Sequence, residues 1–177
     1  SGWMSDYTNL TEFKSPTGAT AMRWMNPALK PGKYKAIMID PVGYYPAPKP
    51  ADQVSQSTLN EIPAYLVKQV RTQVGTVLPV TQKPGPGVLR LRAAITSVET
   101  PTEGFKAYEV IPVALIFAGV GAAAGTRDHD TIVYLEAQLI DSETNVVMGK
   151  VVRKGIGEPL ENKNTQLGLD DVKPVLD

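Results

Sequence analysis

Within the stretch Thr131 to Arg153, two β-branched-rich runs flank a polar cluster, and from Val133 to Leu139 the apolar positions fall on every second residue. Val133, Leu135, Ala137 and Leu139 alternate with Tyr134, Glu136 and Gln138, the period of a strand with one face turned to a core. The polar cluster, Asp141-Ser142-Glu143-Thr144-Asn145, interrupts the pattern, and Val147 to Val152 can return antiparallel beyond it. A loop of that length suits a hairpin, so the spacing predicts an antiparallel hairpin over 131–153. Upstream, Tyr34 to Val42 holds the continuous apolar run Ala36-Ile37-Met38-Ile39, as in an interior strand covered on both faces. Asp40-Pro41 ends it, because proline has no N–H for a ladder and biases its predecessor. Gly43 to Pro50, with Tyr44-Tyr45 and three prolines, reads as a stiff exposed loop.

From Ser57 to Val77 the period changes. Leu59, Ile62, Leu66, Val70 and Val74 recur at steps of three and four, the stripe of an amphipathic helix. Thr58 with Glu61 forms a candidate capping box, a start near Asn60 would keep Pro63 in the first turn, and Gly75 is the expected stop. Lys68, Gln69, Arg71 and Gln73 should face solvent. After Pro84-Gly85-Pro86-Gly87, the run Val88 to Val98 alternates again, Leu89, Leu91, Ala93 and Ile95 against Arg90, Arg92, Ala94 and Thr96. Strand, helix, strand implies a parallel pair joined by a right-handed crossover. With the hairpin added, the expected architecture is α/β (α+β). It is a two-layer sandwich whose mixed sheet of about four strands has helices mainly on one face.

Residues 1–32 lack a sustained period but carry Trp3, Tyr7, Leu10, Phe13, Trp24 and Met25. Disordered tails are poor in such groups. The segment is read as an extended arm pinned by its aromatics on a single domain spanning 33–177; the alternative is an exposed aromatic patch for a partner. Val110 to Gly125 is uncharged but shorter than the roughly 20 residues of a spanning helix, and Pro112, Gly119, Gly121 and Gly125 break it. A buried helix, or helix plus loop, is expected there rather than a transmembrane helix. The tail stays irregular until Asp170-Asp171-Val172-Lys173-Pro174, which has the form of a first helical turn.

Charge changes the picture by exclusion. Eighteen Lys plus Arg balance eighteen Asp plus Glu in 177 residues, so the basic footprint that nucleic-acid binding needs is missing. The chain has no cysteine, which removes disulfides and thiolate metal sites but names no compartment.

Candidate chemistry is sparse. Gly119-Val120-Gly121-Ala122-Ala123-Ala124-Gly125 has the wrong spacing for a dinucleotide loop. His129 stands alone between Asp128 and Asp130, with no second histidine for a metal pair. Glu136, set among Tyr134, Leu135 and Ala137, is the unusual group, and a cross-strand ion pair with Arg90 or Arg92 is its default reading. The functional alternative places Arg90, Arg92 and Glu136, with His129, around one pocket of a small ligand-binding or hydrolytic protein. The residues themselves assign no catalytic, cofactor or metal site.

Three stretches carry a resemblance: Ser1-Gly2-Trp3-Met4-Ser5-Asp6-Tyr7 with Leu10, then Gly125-Thr126-Arg127-Asp128, and Glu136 with Asp141-Ser142-Glu143-Thr144. Together they resemble a family of Gram-negative envelope lipoproteins known only as a domain of unknown function, family thirty-three thirteen. The resemblance implies a precursor with a signal peptide and a lipidated cysteine upstream of Ser1. It also implies a periplasmic domain tethered to the outer membrane, and a longer C-terminal helix. It carries over no catalytic residue. The expectation is a non-enzymatic domain that binds another envelope protein or itself.

Overall fold

The alternation along Thr131–Arg153 resolves into two long paired strands. The computed structural model describes residues 1–14, 20–47, 55–96 and 131–157. The expectations for 110–125, for His129 and for the turn at 170–174 lie outside the described residues. In order along the chain come β1 (Thr11–Lys14), β2 (Thr20–Met25), β3 (Ala36–Ile39), β4 (Gly43–Tyr45), α1 (Gln56–Gly75), β5 (Val88–Thr96), β6 (Thr131–Asp141) and β7 (Val147–Gly157). The α+β class holds, and β3 pairs β5 in parallel while β6 and β7 run antiparallel.

The sheet is wider than the four strands expected. Its order is β1-β2-β7-β6-β5-β3, with β4 also paired to β5, seven strands in all. Two of the additions come from the N-terminal arm, where β2 lies antiparallel on β7 and β1 on β2. The third comes from the stretch read as a loop. Gly43 to Tyr45 resumes the parallel pairing that β3 began, with Gly43 opposite Ala94. Between them the Asp40 N–H still donates to the Leu91 carbonyl at 2.9 Å. Pro41 therefore interrupts an edge strand without ending it, as the edge position allows.

Helix α1 starts earlier than expected. Ser55, with extended φ −71° and ψ 157°, is the cap, and its Oγ accepts the Thr58 N–H at 3.0 Å. Side-chain hydrogen bonds from Gln56 to Asn60 at 3.0 Å and from Ser57 to Glu61 at 2.9 Å support the turns ahead of Pro63. Pro63 thus sits inside the helix rather than in its first turn. The stripe Leu59, Ile62 and Leu66 is buried as the period predicts.

A single extra residue shapes the core. The β6–β7 register shifts at Leu139/Ile140, where Leu139 faces Gly149 and Ile140 faces Val147, leaving Met148 as a bulge. Met148 is buried in the cluster with Tyr34, Ile37 and Leu89, against which Val74 and Leu78 pack at the end of α1. The hairpin loop is equally determined. Asp141 Oδ1 accepts the N–H groups of Glu143 and Thr144 at 3.0 and 3.1 Å, and Oδ2 accepts the Tyr34 hydroxyl at 2.8 Å. Asn145 takes the left-handed φ of 59° that this turn needs. Among the described residues no helix is long and apolar enough to cross a membrane.

Ile37 is 3% exposed and Val77 is 79% exposed. Ile37→Ala should cost about 2–4 kcal/mol in urea unfolding, whereas Val77→Ala should stay within about 0.5 kcal/mol. Comparable losses at both would contradict a core centred on β3.

Burial and the Asp141 carboxylate push the Tyr34 phenol up to about 12 from 10.0. A raised folded-state value means that this stability is whole below the unfolded value and is lost as pH rises through the folded one. Stability should therefore fall between those two values, and Tyr34→Phe should make that alkaline limb shallower in pH-dependent melts.

Candidate functional site

Alternation puts Arg90, Arg92, Ala94 and Thr96 on one face of β5. The register sets Arg92 beside Gln138, Ala94 beside Glu136, and Gln138 beside Lys150 of β7. This is the polar face, opposite the one that carries Ile37, Leu89 and α1. It is nevertheless buried: Glu136 is 3% exposed, Lys150 4% and Thr96 0%. Segment 1–8 covers it.

Glu136 and Lys150 both draw partners from that segment. Glu136 Oε1 accepts the hydroxyls of Ser1 and, at 2.6 Å, of Thr96, while Oε2 accepts the Tyr7 hydroxyl at 2.6 Å. Tyr7 in turn receives the Met4 N–H at 3.0 Å, and Met4 is fully buried beneath the segment. Burial, followed by the hydrogen bond to Glu136, raises the Tyr7 phenol above its ordinary value, so it remains a donor. Lys150 Nζ donates to Asp6 Oδ2 at 2.7 Å, to the Asp6 carbonyl at 3.2 Å and to the Thr8 carbonyl at 3.1 Å. The hydrogen bond from Lys150, helped by the Thr8 hydroxyl and N–H, holds the Asp6 carboxyl well below the usual carboxylate range.

The expected ion pair between Glu136 and Arg90 or Arg92 does not form. Arg90 turns to the sheet edge instead, its Nε 2.9 Å from both oxygens of Asp40 and its Nη2 2.8 Å from Oδ2. That bidentate geometry is the strongest a surface arginine finds. Arg92 lies over the Trp3 ring, 5.6 Å from its centroid. Hydroxyl groups from far along the chain satisfy Glu136, a solution with no local signature. The sequence did contain a hint of it, since the aromatics of residues 1–13 are the side chains that hold the segment down.

Two cavities open from the described residues. One, about 220 Å³, lies at the break between β3 and β4 and is lined by Trp3, Asp40, Tyr45 and Arg92 among others. Of Arg90, Arg92 and Glu136 only Arg92 lines it, so this cavity does not gather the three. The other, about 390 Å³, lies between the end of α1 and the sheet and is almost wholly apolar, with Met25, Val74, Val77 and Leu139 in its walls. Among the described residues no group of three His, Cys, Asp or Glu side chains is placed to hold a metal.

The family described as "Protein of unknown function (DUF3313)" matches residues 1–177. Two Escherichia coli sequences, each described as uncharacterized lipoprotein YdcL, are 41% identical over 177 residues, covering 100% of this chain and 80% of theirs. Among solved structures, PelC dodecamers from Paraburkholderia phytofirmans in two crystal forms are 14% and 11% identical. They cover 89% and 88% of this chain and 97% of their own, with TM-scores of 0.40 and 0.38. At those TM-scores the likeness transfers neither fold nor role.

Glu136→Ala removes the acceptor of three hydroxyls and strands the fully buried Thr96. The expected cost is about 2–4 kcal/mol, with amide exchange in residues 1–8 accelerated beyond that of the sheet. Glu136→Gln, which keeps one carbonyl acceptor, should lose less. Unchanged protection of residues 1–8 in Glu136→Ala would show that the segment is held by something else.

Proposed function

The chain belongs to the DUF3313 family, and from that premise we propose that it is a lipid-anchored envelope lipoprotein. Its role in this reading is to bind another component of the cell envelope, not to catalyse a reaction. The observation that carries the proposal is the 41% identity, along the whole chain, to relatives described as lipoproteins. The chemistry of the polar face supports the second half. Glu136 and Lys150 are fully engaged in fastening residues 1–8, and Arg90 is engaged with Asp40. A general acid or base needs a perturbed group open to a substrate, whereas these groups are spent on holding the fold.

In this reading a signal peptide and a lipidated cysteine precede Ser1, and residues 33–177 form one domain in the periplasm, tethered to the outer membrane. The N-terminal segment joins the anchor to the domain and lies on the sheet. A single acyl chain holds only marginally, so firm attachment takes more than one.

Expression of the full-length precursor in a Gram-negative host tests the anchor. The protein should sediment with outer-membrane fragments, and inhibition of lipoprotein signal peptidase should accumulate a larger, unprocessed form. A precursor that fractionates with soluble proteins and ignores the inhibitor would overturn the anchor. Crosslinking in intact cells should give a discrete adduct; none at any surface position would overturn the binding role.

A further inference from the structure

The cavity at the break in the sheet edge has a composition that the fold does not require. Register places Arg92, Ala94 and Thr96 of β5 and Tyr45 of β4 on one face, the face that Trp3 also covers. Asp40, at the rim, is already neutralised by Arg90 through both of its oxygens. Arg92 has no ion-pair partner among the described residues; its recorded contact is the Trp3 ring. Among the described residues the cavity therefore carries one cation without an ionic partner. That cation is a guanidinium beside an aromatic ring, and Tyr45, 42% exposed, is a second aromatic group in the wall.

We propose that this cavity is a binding site for a small planar carboxylic acid, its carboxylate held by Arg92 and its flat body lying between Trp3 and Tyr45. The guanidinium fork matches a carboxylate with two parallel N–H donors. The Trp3 ring, 5.6 Å from the guanidinium carbon, draws Arg92 toward the cavity wall by a cation–π contact and leaves its N–H groups available to a ligand. A volume of about 220 Å³ admits a ring and its acid group but not a large ligand. Tyr44 lines the same cavity and its buried hydroxyl has no partner among the described residues. Its register with Ile95 turns it to the other face of the sheet, so it is assigned no contact with the ligand. The acid is either a free small molecule or the C-terminal carboxylate of a peptide ending in an aromatic residue, and the chemistry at Arg92 is the same for both.

The test is a titration of the folded protein followed through indole N–H resonances, which number two because Trp3 and Trp24 are the tryptophans of the chain. Phenylacetate should shift the Trp3 signal saturably and leave Trp24 still. Phenylacetamide, the same shape without the charge, should bind about tenfold more weakly or worse, as expected when a charge-assisted contact is lost. Arg92→Gln should abolish the shift while leaving the melting temperature unchanged, and Arg92→Lys, which keeps charge without the fork, should bind weakly. A short peptide ending in Phe, with free or amidated C-terminus, identifies the source by whether its free form outcompetes phenylacetate. Equal binding of acid and amide, retention of binding by Arg92→Gln, an equal response to inorganic phosphate, or no saturable shift at Trp3 would each overturn the proposal.

Discussion

A carboxylate withdrawn from water persists only where donors replace the hydration it gave up. Glu136 meets that condition through hydroxyls of Ser1, Tyr7 and Thr96, two of them on the N-terminal segment. Lys150, on the neighbouring strand, meets it through Asp6 and Thr8. The two charges lie on one face of the sheet but do not pair with each other. Each needs the same stretch of chain, so residues 1–8 have one place to lie. The sheet consequently has two covered faces of opposite character. One is apolar and packs against the end of α1; the other is polar and roofed by a segment without regular structure.

The elements with long, regular spacing were legible. The hairpin, the parallel β3–β5 pair, the helix stripe and its stop at Gly75 all follow from period and punctuation. Two of the three missed strands have too little chain to show a period, and the third, Thr20 to Met25, does not alternate in a way that marks one buried face. Thr11 to Lys14 and Gly43 to Tyr45 are four and three residues long, and their pairing depends on neighbours they meet only in the fold. Alternation also identifies a polar face without saying whether water or protein covers it. Glu136 was conspicuous as a misplaced carboxylate, yet nothing in its vicinity pointed to a serine and a tyrosine at the start of the chain. Arg90 pairs with Asp40 rather than with Glu136, a partner that only the meeting of β3 and β5 supplies.

The turn Asp141-Ser142-Glu143-Thr144 illustrates how common loop chemistry acquires a specific job. The Asp141 carboxylate closes the loop through two backbone N–H groups and also reaches Tyr34 in the core. Ser142 accepts the Gly85 N–H at 3.0 Å, joining the hairpin to the glycine-rich approach to β5. The loop therefore fixes the phase of β6 and β7 against the rest of the sheet. The Met148 bulge exploits that phase by turning one extra side chain inward. Gly149, next to it, lets Met25 of β2 lie close, since a Cβ there would come within 3.1 Å of the Met25 sulfur.

The stitching of Ser1 to the middle of the sheet has a mechanical corollary. Any pull applied at Ser1 arrives at Glu136 almost at once. Force would load the Ser1 contact first and then the Asp6–Lys150 clamp and the Tyr7 contact beside it, peeling the roof from the polar face before any strand is disturbed. Orientation is restricted by the same stitching. A body moored at that spot presents its arginine-bearing side toward the mooring and its helix away from it.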